Sequence, residues 1–296
     1  MKPTHLSRPA VPALVFVTLL LFAVTTQATE TQVLPGIPYL DSKISSNDGY
    51  ECCRLDLYLP AEGKVTGALL WLHGGGLAGG QRDSAATQRI CRRFAQAGII
   101  VASAGYRLNP HVSFPAYLED VAAAYGWLQK NIAERGGDPA RVFIGGHSAG
   151  AYLALMLALD ERYLQGVGID VETIAGVIAV SGQTTTHFTV RTERKGKAEQ
   201  IVVDDAAPLY HVKKRCFPFQ LLFAGNDMAL RAEENRLLAA ALRNRGGNCA
   251  EEFFPDRTHS TIITQIGEPD DAVAKRIGEF IASVGEAKPR DAGSRL

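Results

Sequence analysis

Past its first thirty residues, the chain alternates between two patterns of apolar positions. Residues 68–72, 99–102, 142–144 and 177–180 are unbroken apolar runs of strand length. Such runs predict strands buried on both faces, as in a parallel sheet covered by helices. Residues 54–59 alternate instead, with Leu55, Leu57 and Leu59 opposite Arg54, Asp56 and Tyr58. That period of two predicts a half-buried strand, antiparallel and near a sheet edge. Between the runs lie helical periods. From Pro115 the stripe is Leu118, Val121, Tyr125, Leu128 and Ile132, stopped by Gly136-Gly137. Leu237, Leu238, Ala241 and Leu242 make another, ended by Gly246-Gly247, and Val273, Ile277, Phe280 and Val284 make the last. Strand and helix in turn predict a single doubly wound α/β domain over residues 29–286.

One segment departs from the alternation. Residues 183–212 are polar, with Thr184, Thr185, Thr186 and His187 followed by Arg191, Arg194, Lys195 and Lys197. A connection of that length in a compact domain predicts a lid or binding loop, its charges forming a solvated face. The polar residues 287–296 read as a disordered tail.

The most informative site falls where the run 142–144 meets the Ala/Leu/Met-rich stretch 149–159. Between them stands Gly146-His147-Ser148-Ala149-Gly150. A serine on a tight strand-to-helix turn projects its hydroxyl from the sheet edge, at a helix N-terminus. Glycines two residues either side remove Cβ atoms that would crowd such a turn. A serine hydroxyl needs a histidine base oriented by a carboxylate. When the nucleophile sits on such an elbow, the chain order is serine, acid, histidine. His259, in the turn after the strand-like residues 252–254, meets that order, and Asp227, after the run 219–223, is the expected acid. Asp256, three residues before His259, is the alternative and reads as a turn residue. His73-Gly74-Gly75-Gly76 follows the first buried run, where a glycine loop brings backbone amides toward a developing oxyanion.

Composition narrows the function classes. The 296 residues carry 31 basic and 31 acidic side chains, a net charge of zero, which offers no electrostatic reason to bind nucleic acid or an anionic membrane. Lys2, His5 and Arg8 precede an uncharged stretch ending in Thr26-Gln27-Ala28. Pro12 and an apolar core shorter than a bilayer span make residues 1–28 read as a cleaved secretory signal rather than a retained anchor. A periplasmic or secreted enzyme is expected. Export permits disulfides among Cys52, Cys53, Cys91, Cys216 and Cys249. Cys216 and Cys249 precede strands that would be neighbours, so a bridge between them and buried free thiols are both open.

Taken together, His73-Gly74-Gly75-Gly76, Gly105-Tyr106-Arg107-Leu108, Phe114-Pro115, Gly137-Asp138-Pro139, Gly146 to Gly150, Asp227 and His259 resemble the hormone-sensitive-lipase-like group of α/β-hydrolase esterases. The likeness covers nearly all of the chain beyond the signal. It implies a Ser148–His259–Asp227 triad and an oxyanion hole from the amides of Gly75, Gly76 and Ala149. It makes His73 a scaffold residue for the glycine loop, with Gly74, Gly146, His147 and Gly150 supporting the site. It implies an ester substrate and neither cofactor nor metal. Two departures matter. Many members carry an acidic residue where this chain has His147, as arylformamidase and feruloyl- or acetyl-esterase branches do. The long N-terminal helical cap is also missing, which points to short-chain or aromatic esters. An amide-cleaving enzyme of the same fold is the rival reading. A non-catalytic binding protein is disfavoured, because such proteins typically lose a triad member.

Overall fold

Among the described residues, eight strands hydrogen-bond into one sheet in the order β1-β2-β4-β3-β5-β6-β7-β8. They are β1 (Gln32–Pro38), β2 (Arg54–Leu59), β3 (Gly67–Leu72), β4 (Ile99–Ala104), β5 (Val142–His147), β6 (Ile174–Val180), β7 (Phe219–Asn226) and β8 (Cys249–Thr258). The helices are α1 (Ala85–Gln96), α2 (Ala116–Asn131), α3 (Ala149–Leu159), α4 (Arg162–Gly166), α5 (Phe188–Glu193), α6 (Arg231–Asn244), α7 (Thr261–Thr264) and α8 (Ala272–Val284). This is a computed structural model, and it describes residues 31–40, 52–61 and 63–284. The expected signal and the tail 287–296 lie outside those residues. Among the described residues no helix is long and apolar enough to cross a membrane.

β2 runs antiparallel to β1 and β4, and every pairing from β4 to β8 is parallel. The unbroken apolar runs explain this. All of β3 is buried, and its residues pack alternately to two sides. Leu70 and Leu72 join a core with Leu118 and Val121 of α2 and the buried face of α3. Leu69 and Trp71 join another with Ile90 and Phe94 of α1 and Ile277 and Phe280 of α8. Helices therefore cover both faces of the sheet. Helix α3 is buried along its whole length, as its lack of any charged residue requires.

Two expectations need correction. β2 is antiparallel but not half-buried. Its polar face is covered because Asp56 is paired with Arg82 (3.1 Å) and accepts the Gly36 amide (2.7 Å). In α6 the stripe is rotated. Leu238, Ala239 and Leu242 are buried, whereas Leu237 is 57% exposed. The polar neighbours Glu234 and Asn235 take the inward places, because the segment after β6 offers them partners: Glu234 accepts from the amides of Thr184 and Thr185, and Asn235 donates to the Gly182 carbonyl. Of the two cysteine readings left open, the structure has free thiols at all five positions. β7 and β8 are parallel neighbours as expected, but Phe219 is the register partner of Cys249. Cys216 lies upstream of that pair, exposed, with its amide donating to Glu172 (3.1 Å).

The rotated stripe gives a direct test. Leu238→Ala is expected to lower stability by about 2–5 kcal/mol through a core cavity. Leu237→Ala should stay within about 0.5 kcal/mol of the parent. Urea unfolding of the two variants measures both, and the reverse ranking would contradict the placement of α6.

Candidate active site

The turn from β5 into α3 is built on close backbone contact. A Cβ on Gly146 would lie 2.5 Å from the Leu72 carbonyl oxygen, and one on Gly150 would lie 2.1 Å from the same atom. The chain can therefore pass this close to β3 only with glycine at both positions. Between them Ser148 takes φ 55° and ψ −116°, a left-handed backbone that a side chain adopts under strain. The turn is held by the Ser148 amide on the Val180 carbonyl (2.9 Å) and by the Tyr152 amide on the Ser148 carbonyl (2.9 Å).

The carboxyl ends of β5, β7 and β8 bring three expected residues together. Ser148 Oγ lies 2.9 Å from His259 Nε2, and His259 Nδ1 lies 2.5 Å from Asp227 Oδ1. An ionised carboxylate only accepts, so Nδ1 carries the proton and Nε2 presents its lone pair to the serine hydroxyl. Asp227 also accepts from the Met228 amide (2.7 Å) and from Ser181 Oγ (2.5 Å). Burial works against its ionisation, but the hydrogen bonds from His259 and Ser181 outweigh it and hold its pKa below the usual carboxylate value. Asp256 is exposed on β8 and takes no part.

The glycine loop after β3 forms the facing wall. Gly75 and Gly76 have φ 125° and 66°, and a Cβ on Gly75 would stand 2.1 Å from the Gly79 carbonyl oxygen. His73 braces the loop from behind. Its Nδ1 donates to the Gly74 carbonyl (2.8 Å), and its ring stacks on Tyr106 at 4.4 Å. Tyr106 in turn donates to the His73 carbonyl (2.7 Å). The neighbouring Arg107 grips buried Asp120 of α2 through its guanidinium (2.6 Å) and its amide (2.9 Å). The Gly105-Tyr106-Arg107 motif thus supports the glycine loop and contributes nothing to the reacting centre directly.

The segment 183–212 is solvated only in part: Arg194, Lys195 and Lys197 are exposed, as expected of its charges. Thr184, Thr186, His187 and Arg191 are buried within it. Glu193 of α5 accepts from Asn109 Nδ2 (2.9 Å), the Phe114 amide (2.9 Å) and the Tyr117 hydroxyl, which locks the insertion to the start of α2. Thr189 donates its hydroxyl to the Gly76 carbonyl, and Phe188 packs on Gly76. The insertion therefore clasps the glycine loop. Ser148, His259, the glycine loop, Phe188, Met228 and Ile263 line a cleft of about 600 Å³ that no charged side chain among the described residues enters.

Ser181 and Thr189 were not singled out from the sequence. Ser181 follows β6 at the same sheet edge as Asp227, a position that could have marked it. Thr189 gave no signal, since its contact with Gly76 spans 113 positions.

Comparison with known proteins finds esterases of similar sequence and fold. The family model described as the alpha/beta hydrolase fold matches residues 69–210. Esterase LipQ of Mycobacterium tuberculosis is 28% identical over 213 residues, covering 66% of this chain and 50% of that protein. Ethyl acetate hydrolase of Pseudomonas putida is 37% identical over 122 residues, covering 40% and 37%. A truncated carbohydrate esterase from gut microbiota superposes with a TM-score of 0.70 at 18% identity, covering 87% of this chain and 98% of that one. The chain has the alpha/beta hydrolase fold and is similar to carboxylesterases. It spans about half the length of the curated relatives it matches.

The buried histidines set the acid stability. Burial pushes the pKa of His73 down to about 4 and that of His187 down to about 3. In the unfolded chain both return to ~6.5. As pH falls below that value the unfolded state binds protons that the folded state refuses. Stability is therefore present above pH ~6.5 and lost on acidification toward pH ~4, by up to about 1.4 kcal/mol per pH unit for each histidine. Urea midpoints measured across this range should fall steadily; a flat profile would contradict the neutral burial of these rings.

Proposed function

We propose that this chain is a serine carboxylesterase acting through an acyl-enzyme on Ser148. The observation that carries the reading is the continuous relay Ser148–His259–Asp227, with contacts of 2.9 Å and 2.5 Å at the mouth of an uncharged cleft. His259 Nε2 takes the hydroxyl proton as Ser148 Oγ attacks the ester carbonyl. The amides of Gly75, Gly76 and Ala149 receive the oxyanion. Asp227 holds the tautomer and stabilises the imidazolium, and His259 then protonates the leaving alcohol. Water repeats the cycle on the acyl-enzyme. The neutral lining favours uncharged esters, and the likeness to an ethyl acetate hydrolase supports short acyl groups. The charged, apolar and small-residue order of residues 1–28 supports export after signal cleavage.

Ser148→Ala should remove roughly 10⁶ of turnover on a nitrophenyl acetate and abolish covalent labelling by a fluorophosphonate. Labelling that persists in this variant would move the nucleophile elsewhere. Asp227→Asn should cost on the order of 10⁴ in kcat by presenting the wrong tautomer, and a larger loss from Asp256→Asn would overturn the acid assignment. Acetyl and octanoyl nitrophenyl esters should differ in kcat/KM in favour of acetyl, and equal values would contradict the short-chain preference.

A further inference from the structure

His147 stands in the serine turn and touches two other loops of the site. It ends β5, so its backbone belongs to the serine turn. Its Nε2 lies 2.9 Å from the carbonyl oxygen of His259, and the two rings face each other at 4.7 Å. On its other edge the ring presses on the glycine loop, since a Cβ on Gly74 would stand 2.9 Å from His147 Nδ1. A carbonyl only accepts, so Nε2 must carry the proton and Nδ1 faces Gly74 without one. Burial, then the facing His259 ring, pushes its pKa down to about 3, so this tautomer is kept across the working pH range. The groups that act on it are His259 after β8, Asp227 after β7 and Arg231 of α6.

The His259 turn is anchored on its far side as well. The Thr258 amide donates to Thr261 Oγ1 (2.7 Å), and Arg257 pairs with Asp271 (2.6 Å). Those bonds hold the turn to α7 and to the start of α8. They do not fix the distance from His259 to Ser148. Asp227 orients the His259 ring through Nδ1, which leaves the position of its backbone to be set. We propose that His147 is a positioning residue for the reaction: by hydrogen-bonding the main-chain carbonyl of the base itself, it sets the separation between His259 and the serine turn from which it extends. This rests on the esterase reading above. It gives the residue before the nucleophile a definite task, which a tilted ring against the His259 ring and a wedge against Gly74 also support. A displacement of about 1 Å between base and nucleophile is enough to cost up to 10² in rate.

Three variants test it, with the parent enzyme measured beside them on a nitrophenyl acetate and with a fluorophosphonate probe. His147→Leu keeps the bulk and removes the donor; kcat should fall about tenfold with KM within about twofold, and the rate of fluorophosphonate labelling should fall in parallel. His147→Gln places an amide nitrogen where Nε2 lies and should restore kcat to within about threefold of the parent. His147→Asn, whose amide falls short of the carbonyl, should behave like the leucine variant and serves in its place if that variant does not fold. A leucine variant with the parent's kcat, a loss carried by KM instead, or a glutamine variant as slow as leucine would each overturn the positioning role. A parent enzyme that neither turns over the ester nor labels would overturn the esterase reading itself, and this inference with it.

Discussion

The site depends on the distance at which one turn passes another strand. The backbone between β5 and α3 runs against the end of β3 so closely that Cβ atoms on Gly146 or Gly150 would fall 2.5 Å and 2.1 Å from the Leu72 carbonyl oxygen. That approach fixes the serine turn and the glycine loop with respect to each other. It also forces Ser148 into a left-handed backbone at φ 55°. The strain is held by the buried α3, whose burial along its whole length anchors the C-terminal side of the turn. A strained serine between an apolar strand and an apolar helix is thus kept rigid by the core, and its hydroxyl alone faces the cleft.

From that junction, supports spread outward in layers. Tyr106 and His73 brace the glycine loop from beneath, and Thr189 of the insertion holds it from above. Ser181 and the Met228 amide hold the carboxylate of Asp227, while Arg231 holds the Ser181 carbonyl (2.9 Å). All but the Met228 contact are hydrogen bonds between buried or half-buried groups, where an unmade partner costs more than a made one contributes. The polar groups around the site therefore resist movement, which is what a relay of fixed proton donors and acceptors needs.

Much of this was legible in the sequence, and the reasons are physical. Strands buried on both faces leave unbroken apolar runs, so β3 to β6 were plain. Close backbone approach leaves glycines, so the serine turn and the glycine loop were plain as well. The order of residues along a doubly wound sheet pointed to Asp227 and His259. What was hidden depends on partners far apart in the chain. Helix α1 buries only Thr87, Ile90, Cys91, Phe94 and Ala95 among arginines and glutamines, too mixed a stripe to stand out. Asp56 and Tyr58 look solvent-facing by period, yet Arg82 and Arg92 come over them from another element. The insertion reads as a solvated loop because its threonines reveal nothing of the Glu234 contacts that bury them, and Glu193 reveals nothing of its bonds to Asn109 and Phe114.

Turnover through this site requires that Ser148, activated by His259, become acylated. Rapid mixing with a nitrophenyl ester, followed by acid quench and peptide mass analysis, tests it most directly. A burst of nitrophenol close to one equivalent per enzyme is expected, with an acyl mass increment on the peptide that carries Ser148. A linear release without a burst, together with an unmodified Ser148 peptide and an acyl group found on another residue, would contradict it.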